Sequence, residues 1–544
     1  MKNWILATTL LFSSVLFSRA DTYPKNFKID VLNYIFRIEL SDASDLIKCE
    51  VTVDVRYVGA GVDMLRLDLT KASATLENKG MVVSKVTSAG KALDFIHEND
   101  VLKIKLPAAS QINQRAQYTI TYSGIPATGL KIANNKHGDR TFFSDNWPDK
   151  GRNWLSIIDH PYDKATCEFI VTAPSHYQVV SNGLKVEESD LPSGNRITHW
   201  KQGVPIASWL YVLGVARFAV QYVDEFDHKS IETWVYYQDR DAGFNDFAEP
   251  TKKVLEFYSD YVGPFSYEKL ANIQSNSVSG GMEAASAILY SENSVVGDKN
   301  ERWRNVVIHE IAHQWFGNAV TERDWDDVWL SEGFATYFTL LFIEHEYGHD
   351  AFMKGLADSK KRVNTFYAEH PEYRIVHNNL SDMSKVTSSQ TYQKGSWILH
   401  MLRGRVGDDV FWKGIRAYYK KYQNLNTTTA DFRREMEEAS GQDLQGFFEQ
   451  WLYKPGALVL SGTWQYHAQK KEVTIQLTQT QADGSLFTMP IEVTLLSPKG
   501  SAVNKTIEVN DRQQVFVIPV TEEPEQVILD PHSWVLMEST LTKK

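Results

Sequence analysis

His309 and His313 stand four residues apart with Glu310 beside the first, and Glu332 follows after eighteen intervening residues. On a helix, residues four apart share one face, so both imidazoles can aim at a single point. A second helix returning antiparallel brings Glu332 to the same point. Two imidazole nitrogens and one carboxylate oxygen, with a fourth position left to water, make a catalytic zinc site. Glu310 is not needed as a ligand, so its carboxylate is free to take a proton from activated water and pass it to a leaving amine. Glu332 lies in Trp329-Leu330-Ser331-Glu332-Gly333-Phe334-Ala335, an acid among apolar neighbours. A buried carboxylate needs a partner, and a divalent cation is a strong one.

His345 and His349 repeat the four-residue spacing, but in the polar run Glu344-His345-Glu346-Tyr347-Gly348-His349-Asp350. That spacing reads as a solvated helix face and is assigned no site.

The elements that must hold these residues follow from periodicity. From Tyr23 to about Phe218, apolar residues alternate, as in Phe36-Arg37-Ile38-Glu39-Leu40 and Val51-Thr52-Val53-Asp54-Val55. This predicts an all-β domain over 21–218. Within it, Phe142–Ala165 reads as a loop lining a cleft. After Gly243 the period becomes helical, starting with Thr251–Tyr261. Strands over Leu270–Ser279 and Ala287–Tyr290 then flank Gly280-Gly281-Met282-Glu283-Ala284. Further helices are expected over Arg302–Asn318, Leu330–Tyr347, Gly395–Arg405, Asp409–Tyr422, Ala430–Ser440 and Asp443–Tyr453, with Thr428 and Asp431 as a capping box. Pro455-Gly456 marks the end of this 219–455 domain. Alternation returns over 456–544, read as a β-sandwich. The fold class is therefore multidomain α+β: an N-terminal all-β domain, an α/β domain carrying the histidines, and a C-terminal β-sandwich.

Composition bounds the rest. A 544-residue chain is too long for one core. Lys2, the apolar run Trp4–Phe17 and Ser18-Arg19-Ala20 read as a signal peptide (1–20) cleaved after Ala20, giving a secreted or periplasmic protein. The alternative, an N-terminal anchor, would need about 20 apolar residues. Cleavage removes Lys2 and Arg19 and no acid, moving the formal charge from −11 to −13. An acidic chain without a basic block argues against nucleic-acid binding, and no later run is apolar for long enough to span a bilayer. Cys49 and Cys167, the only cysteines, could pair or remain buried thiols. The oligomeric state is not legible.

HEIAH, eighteen residues, then WLSEGFA resembles the gluzincin aminopeptidases, the family of aminopeptidase N and leukotriene hydrolase. Gly280-Gly281-Met282-Glu283 is similar to that family's Gly-x-Met-Glu-Asn motif, and Tyr392-Gln393-Lys394-Gly395 to its Tyr-x-Lys-Gly segment. The resemblance implies a thermolysin-like catalytic domain, one zinc ion per chain, and peptide substrates with a free N-terminus. Glu283 would bind the α-amino group, Gly280 and Gly281 would let peptide backbone lie close, and Tyr392 would donate to the oxyanion. Three departures stand out. Ala284 replaces the motif asparagine. The Phe142–Trp154 stretch offers Asp145 but no glutamine or glutamate as a second amine anchor, and Trp147 there is expected to narrow the first side-chain pocket. The family's closing helical domain has no counterpart after the β-sandwich, which implies an open cleft. The function expected is removal of N-terminal residues from peptides. The alternatives are a zinc endopeptidase of the same fold, or a peptide-binding protein without catalysis.

Overall fold

The computed structural model describes residues 21–377, 380 and 382–544, so the expected signal peptide lies outside the described residues. Residues 21–216 form strands. An eight-stranded sheet is built around Ile29–Glu39, which pairs antiparallel with Ile47–Tyr57 and parallel with Ala165–Pro174. The alternation in sequence is the alternation of faces: Tyr34, Phe36 and Ile38 are buried, whereas Arg37 and Glu39 are exposed. A four-stranded and a three-stranded sheet complete this part. Cys49 pairs opposite Ile38 and Cys167 opposite Tyr34, on the two sides of the same central strand. Two strand spacings separate them by about 9.6 Å or more, beyond the reach of a disulfide, and both are buried free thiols. Burial pushes the Cys49 thiol up to about 12.

Leu213–Ala216 belongs to the four-stranded sheet, and Phe218–Phe226 opens a different one. This second sheet runs in the order Phe218–Phe226, Lys229–Tyr236, Lys269–Ser275, Ala287–Ser291, Gly281–Met282. Eight α-helices pack with it among the described residues: α1 Arg240–Tyr261, α2 Glu301–His313, α3 Trp329–Tyr347, α4 His349–Glu369, α5 Gly395–Val406, α6 Asp408–Tyr422, α7 Thr429–Ser440 and α8 Gln445–Leu452. The strand before the glycine motif ends at Ser275 rather than Ser279. Helix α1 begins eleven residues earlier than its apolar period suggests, because non-helical backbone at Glu249, before Pro250, divides it into two helical pieces. Helix α2 stops at His313 rather than Asn318, since Gln314–Asn318 turns away and Gly317 takes a left-handed φ of 109°. Helix α4 was not anticipated, although Phe352, Leu356, Ser359 and Val363 bury one narrow face of it. The capping box at Thr428 and Asp431 is present on α7.

Helix α3 is the centre of this domain. From Trp329 to Ile343 all its residues except Thr336 are buried, as expected of a helix packed on every side. Phe334 and Phe338 stack on Phe316 at 4.7 and 4.6 Å, and Phe334 meets Phe432 of α7 at 5.0 Å. This aromatic layer fixes α3 against the end of α2. The C-terminal region is two sheets, of four and three strands, with Val473, Ile475, Ile491 and Val493 turned into a shared core. No described helix is long and apolar enough to cross a membrane.

Candidate active site

Helix α2 starts on a cap in which the Asn300 side chain accepts from the Arg302 amide at 3.1 Å. Val307, Ile308, Ile311 and Ala312 anchor it to the core, which turns His309 and His313 toward the first turn of α3. There the structure brings the three expected ligands together. His309 Nε2 and His313 Nε2 are 3.1 Å apart, and Glu332 Oε2 lies 3.4 Å from the first and 3.2 Å from the second. Donors placed 2.0–2.1 Å from a tetrahedral ion are about 3.3 Å from one another, so the triangle has the size that zinc requires.

The surroundings orient each donor. His313 Nδ1 lies 3.1 Å from the Phe316 carbonyl and 3.1 Å from Ser331 Oγ. Donation to the carbonyl keeps the proton on Nδ1 and leaves Nε2 with its lone pair facing the triangle. Tyr392 donates its hydroxyl to Glu332 Oε1 at 2.8 Å, while Oε2, the oxygen facing the histidines, is buried without a hydrogen bond. An orphaned buried carboxylate oxygen facing two imidazole nitrogens fits a divalent cation.

Charge points the same way. Burial alone would raise the Glu332 carboxyl, but the charge of His313 and the close approach of both imidazoles outweigh it and hold the group at about 2. Burial would lower His313, yet Glu332, Glu283 and Glu310 hold it at about 10. Burial keeps His309 below its ordinary value. Glu310 is pushed well up, first by burial and then by the neighbouring Glu283 and Glu332. Three carboxylates around one point make a site for positive charge.

Glu283 is buried next to this triangle. Its carboxylate, that of Glu310 and the ring of His313 each bring an atom within 4.8 Å of the others. Glu283 Oε1 has no hydrogen-bond partner, and burial raises the carboxyl above its usual range. The main chain is held from below: the Glu283 carbonyl accepts from Gln314 Nε2 at 3.0 Å and from Asn318 Nδ2 at 2.6 Å. Ala284, at the motif's departure, is buried, and its amide turns back onto the Met282 carbonyl at 2.9 Å. Met282 pairs with Leu289 and Gly281 with Tyr290 in a two-residue strand. A Cβ on Gly281 would come within 2.2 Å of Glu310 Oε1, whereas one on Gly280 would meet nothing within 4 Å. Gly281 therefore makes room for the Glu310 carboxylate, and Gly280 opens onto the cleft.

Tyr392 sits on a π-helical turn, Gln390–Lys394, leading into α5, the kind of irregular turn common at functional sites. Its ring stacks on His309 with centroids 6.1 Å apart. Burial, and the Glu332 carboxylate that its hydroxyl touches, keep the phenol well above its ordinary value, so it stays a proton donor. In the family role it would point at substrate; here it rests on Glu332 instead.

Several positioning residues carry little signal in sequence. A Cβ on Gly333 would come within 2.9 Å of the Gly395 Cα, so this pair lets α3 and the Tyr392 turn approach closely. A Cβ on Gly317 would strike Ser331 Oγ at 2.2 Å. Trp147 packs edge-on against Trp325 at 5.0 Å and Trp209 at 5.8 Å, and Asp145 pairs with Lys150 at 2.6 Å. From the same N-terminal loop, Lys164 Nζ bonds the carbonyls of Asn318 and Ala319 at 3.0 Å each, tying that loop to the turn after His313. A second group, Asp21, His160 and Asp324, also has donor atoms close together. Lys25 Nζ already bonds both acids, so a cation is built in. His345 and His349 are exposed, the second bonded to Glu344 at 2.8 Å.

A cleft of about 760 Å³ joins Gly280, Glu283, Glu310, the triangle and Tyr392. Comparison with known proteins agrees with this geometry. Residues 247–451 match the peptidase family M1 domain and residues 30–210 the peptidase M1 N-terminal domain. Glutamyl aminopeptidase of Sus scrofa is 29% identical over 332 residues, 58% of this chain and 35% of the relative. Aminopeptidase A of Gloydius brevicauda is 30% identical over 335 residues, 58% of this chain and 34% of the relative. A probable aminopeptidase 2 of Sulfurisphaera tokodaii is 29% identical over 321 residues, 56% and 40% of the two chains. The aligned region is thus about a third of the length of the glutamyl aminopeptidases. The crystal structure of an M1 zinc metallopeptidase from Deinococcus radiodurans shares the fold, with a TM-score of 0.67 and 22% identity over 78% of this chain and 93% of that one. With both M1 domains matched and the HEIAH…Glu332 triangle assembled within the second, the chain belongs to peptidase family M1.

Proposed function

We propose that this protein is a zinc-dependent aminopeptidase, with one ion per chain, that removes residues from the free N-terminus of peptides. The observation that carries the reading is Glu283: a buried carboxylate with an unpartnered oxygen, lining the cleft beside Glu310 and His313. An unpaired buried charge is costly, and a substrate ammonium offsets that cost only when the peptide begins there. An endopeptidase would need chain to continue past this point.

A zinc ion held by His309, His313 and Glu332 would polarise the scissile carbonyl and acidify water. Glu283 fixes the α-ammonium and so places the first peptide bond over the triangle. Glu310, with its carboxyl raised by burial, accepts a proton from the attacking water and returns it to the departing amine. Tyr392, kept protonated, donates its hydroxyl to the oxygen that gains charge once it swings from Glu332 Oε1. Gly280 leaves the rim open to peptide backbone.

The relatives named glutamyl aminopeptidase and aminopeptidase A support an aminopeptidase activity; the preferred first side chain is left open. Lys2, the run Trp4–Phe17 and Ser18-Arg19-Ala20 support export to the periplasm or medium, with cleavage after Ala20, which N-terminal sequencing of the exported protein tests. The activity test is a set of peptides offered with free and acetylated α-amino groups, before and after chelation and after zinc is restored. Cleavage of the free peptides alone, lost on chelation and regained with zinc, is expected. Equal cleavage of acetylated peptides would make the protein an endopeptidase, and no cleavage of either would leave a binding protein.

A further inference from the structure

The cleft is asymmetric in charge. Around Glu283 its acids are Glu283, Glu310 and Glu332, gathered about the histidine pair. Toward the N-terminus of α2 and along α4 it is lined by four cations, Arg302, Arg304, Lys354 and Arg362, against two acids, Glu301 and Asp358. Lys354, Asp358 and Arg362 are four residues apart on α4 and form one stripe. Arg304 is committed: its guanidinium lies over the Tyr347 ring at 4.0 Å and 3.9 Å from Glu301. Arg302 lies over the Trp303 ring at 5.0 Å, and no acid among the described residues pairs with it, with Lys354 or with Arg362. In a chain of net charge −11, three cations without an acid partner on the wall of one cleft need a reason, and dispersed surface charge does not supply it.

We infer that this cationic wall is a carboxylate-binding subsite for the downstream part of the peptide, so that the preferred substrates are short peptides carrying a carboxylate about three residues beyond the scissile bond. The inference rests on the aminopeptidase reading, which fixes the ammonium at Glu283 and sends the rest of the peptide the other way along the cleft. Arg302 is seven residues before His309 on α2, about 10 Å along the helix axis. An extended peptide spans that distance in roughly three residues. The carboxylate can be the peptide's own C-terminus or an acidic side chain at the same position, since guanidinium and ammonium groups receive either. Because the wall is open to solvent, each contact contributes modestly and is screened by salt. The cleft concentrates the potential of all three cations on one ligand group.

The test uses the zinc-loaded protein and three tetrapeptides with identical first residues: one with a free C-terminal carboxylate, one amidated, and one amidated but carrying an aspartate as its last residue. The ratio of kcat/KM for acid over amide is expected to be about three- to tenfold at low ionic strength and to shrink in 0.5 M salt. The aspartate peptide reads whether a side-chain carboxylate substitutes for the terminal one. In the double variant Lys354→Glu, Arg362→Glu the same ratio is expected to fall below one. Because both peptides are cut by the same preparation, a loss of folded enzyme cancels. A wild-type ratio of one for both carboxylate sources, or a ratio that survives charge reversal, would overturn the subsite. Failure to cleave any of the three would overturn the aminopeptidase reading beneath it.

Discussion

Two histidine pairs in this protein have the same spacing and opposite fates. His309 and His313 face a buried carboxylate 3.4 and 3.2 Å away, and His313 has its second nitrogen against the Phe316 carbonyl and Ser331. His345 and His349 straddle a helix end, exposed, and the nearest acid takes one of them as a surface hydrogen bond. The i, i+4 spacing sets direction only. What turns direction into a site is a third donor from another helix, burial that raises the need for a cation, and outer groups such as the Phe316 carbonyl at His313 Nδ1.

Several variants break or sharpen that contrast. Glu310→Gln removes the proton acceptor and leaves all three donors in place. Turnover should fall about 10²- to 10⁴-fold, while zinc content by atomic absorption stays at the wild-type level; loss of zinc would move Glu310 into the ligand set. Ser331→Ala strips one of the two groups at His313 Nδ1 and should weaken zinc binding about tenfold in a chelator competition. Gly333→Ala puts a methyl within 2.9 Å of the Gly395 backbone. Helix α3 must then move away from the Tyr392 turn, at a cost of about 1–3 kcal/mol seen as a lowered Tm. His349→Ala, on the exposed pair, should leave zinc content and turnover unchanged and stability within about 0.5 kcal/mol.

The donor triangle was legible because helix period and residue type carry it: HEIAH sets two donors, and an acid inside an apolar helix announces the third. The β, α/β, β layout follows from a period of two giving way to a period near four and returning. The glycine pair Gly333 and Gly395 was not legible as a contact, because nothing local to either residue says that it faces the other. Helix α4 was missed because only a narrow strip of it is apolar. Tyr392 was identified by motif, but its hydroxyl rests on Glu332, a contact set by the π-helical turn rather than by spacing. The cationic wall was not legible because Arg302 lies on α2 and Lys354 and Arg362 on α4, and nothing local to either helix says that both line one cleft.

In the proposed mechanism the buried carboxylate of Glu283 reads the free amine while the triangle beside it serves the chemistry. The most direct measurement is kcat/KM on one peptide with its α-amino group free and acetylated, in the wild-type protein and in Glu283→Gln, each checked for zinc. The wild type should favour the free peptide strongly. Glu283→Gln should keep its zinc yet lose about 3 kcal/mol of that preference, roughly 100-fold. A variant that holds zinc and still prefers the free amine as strongly as the wild type would contradict the assignment.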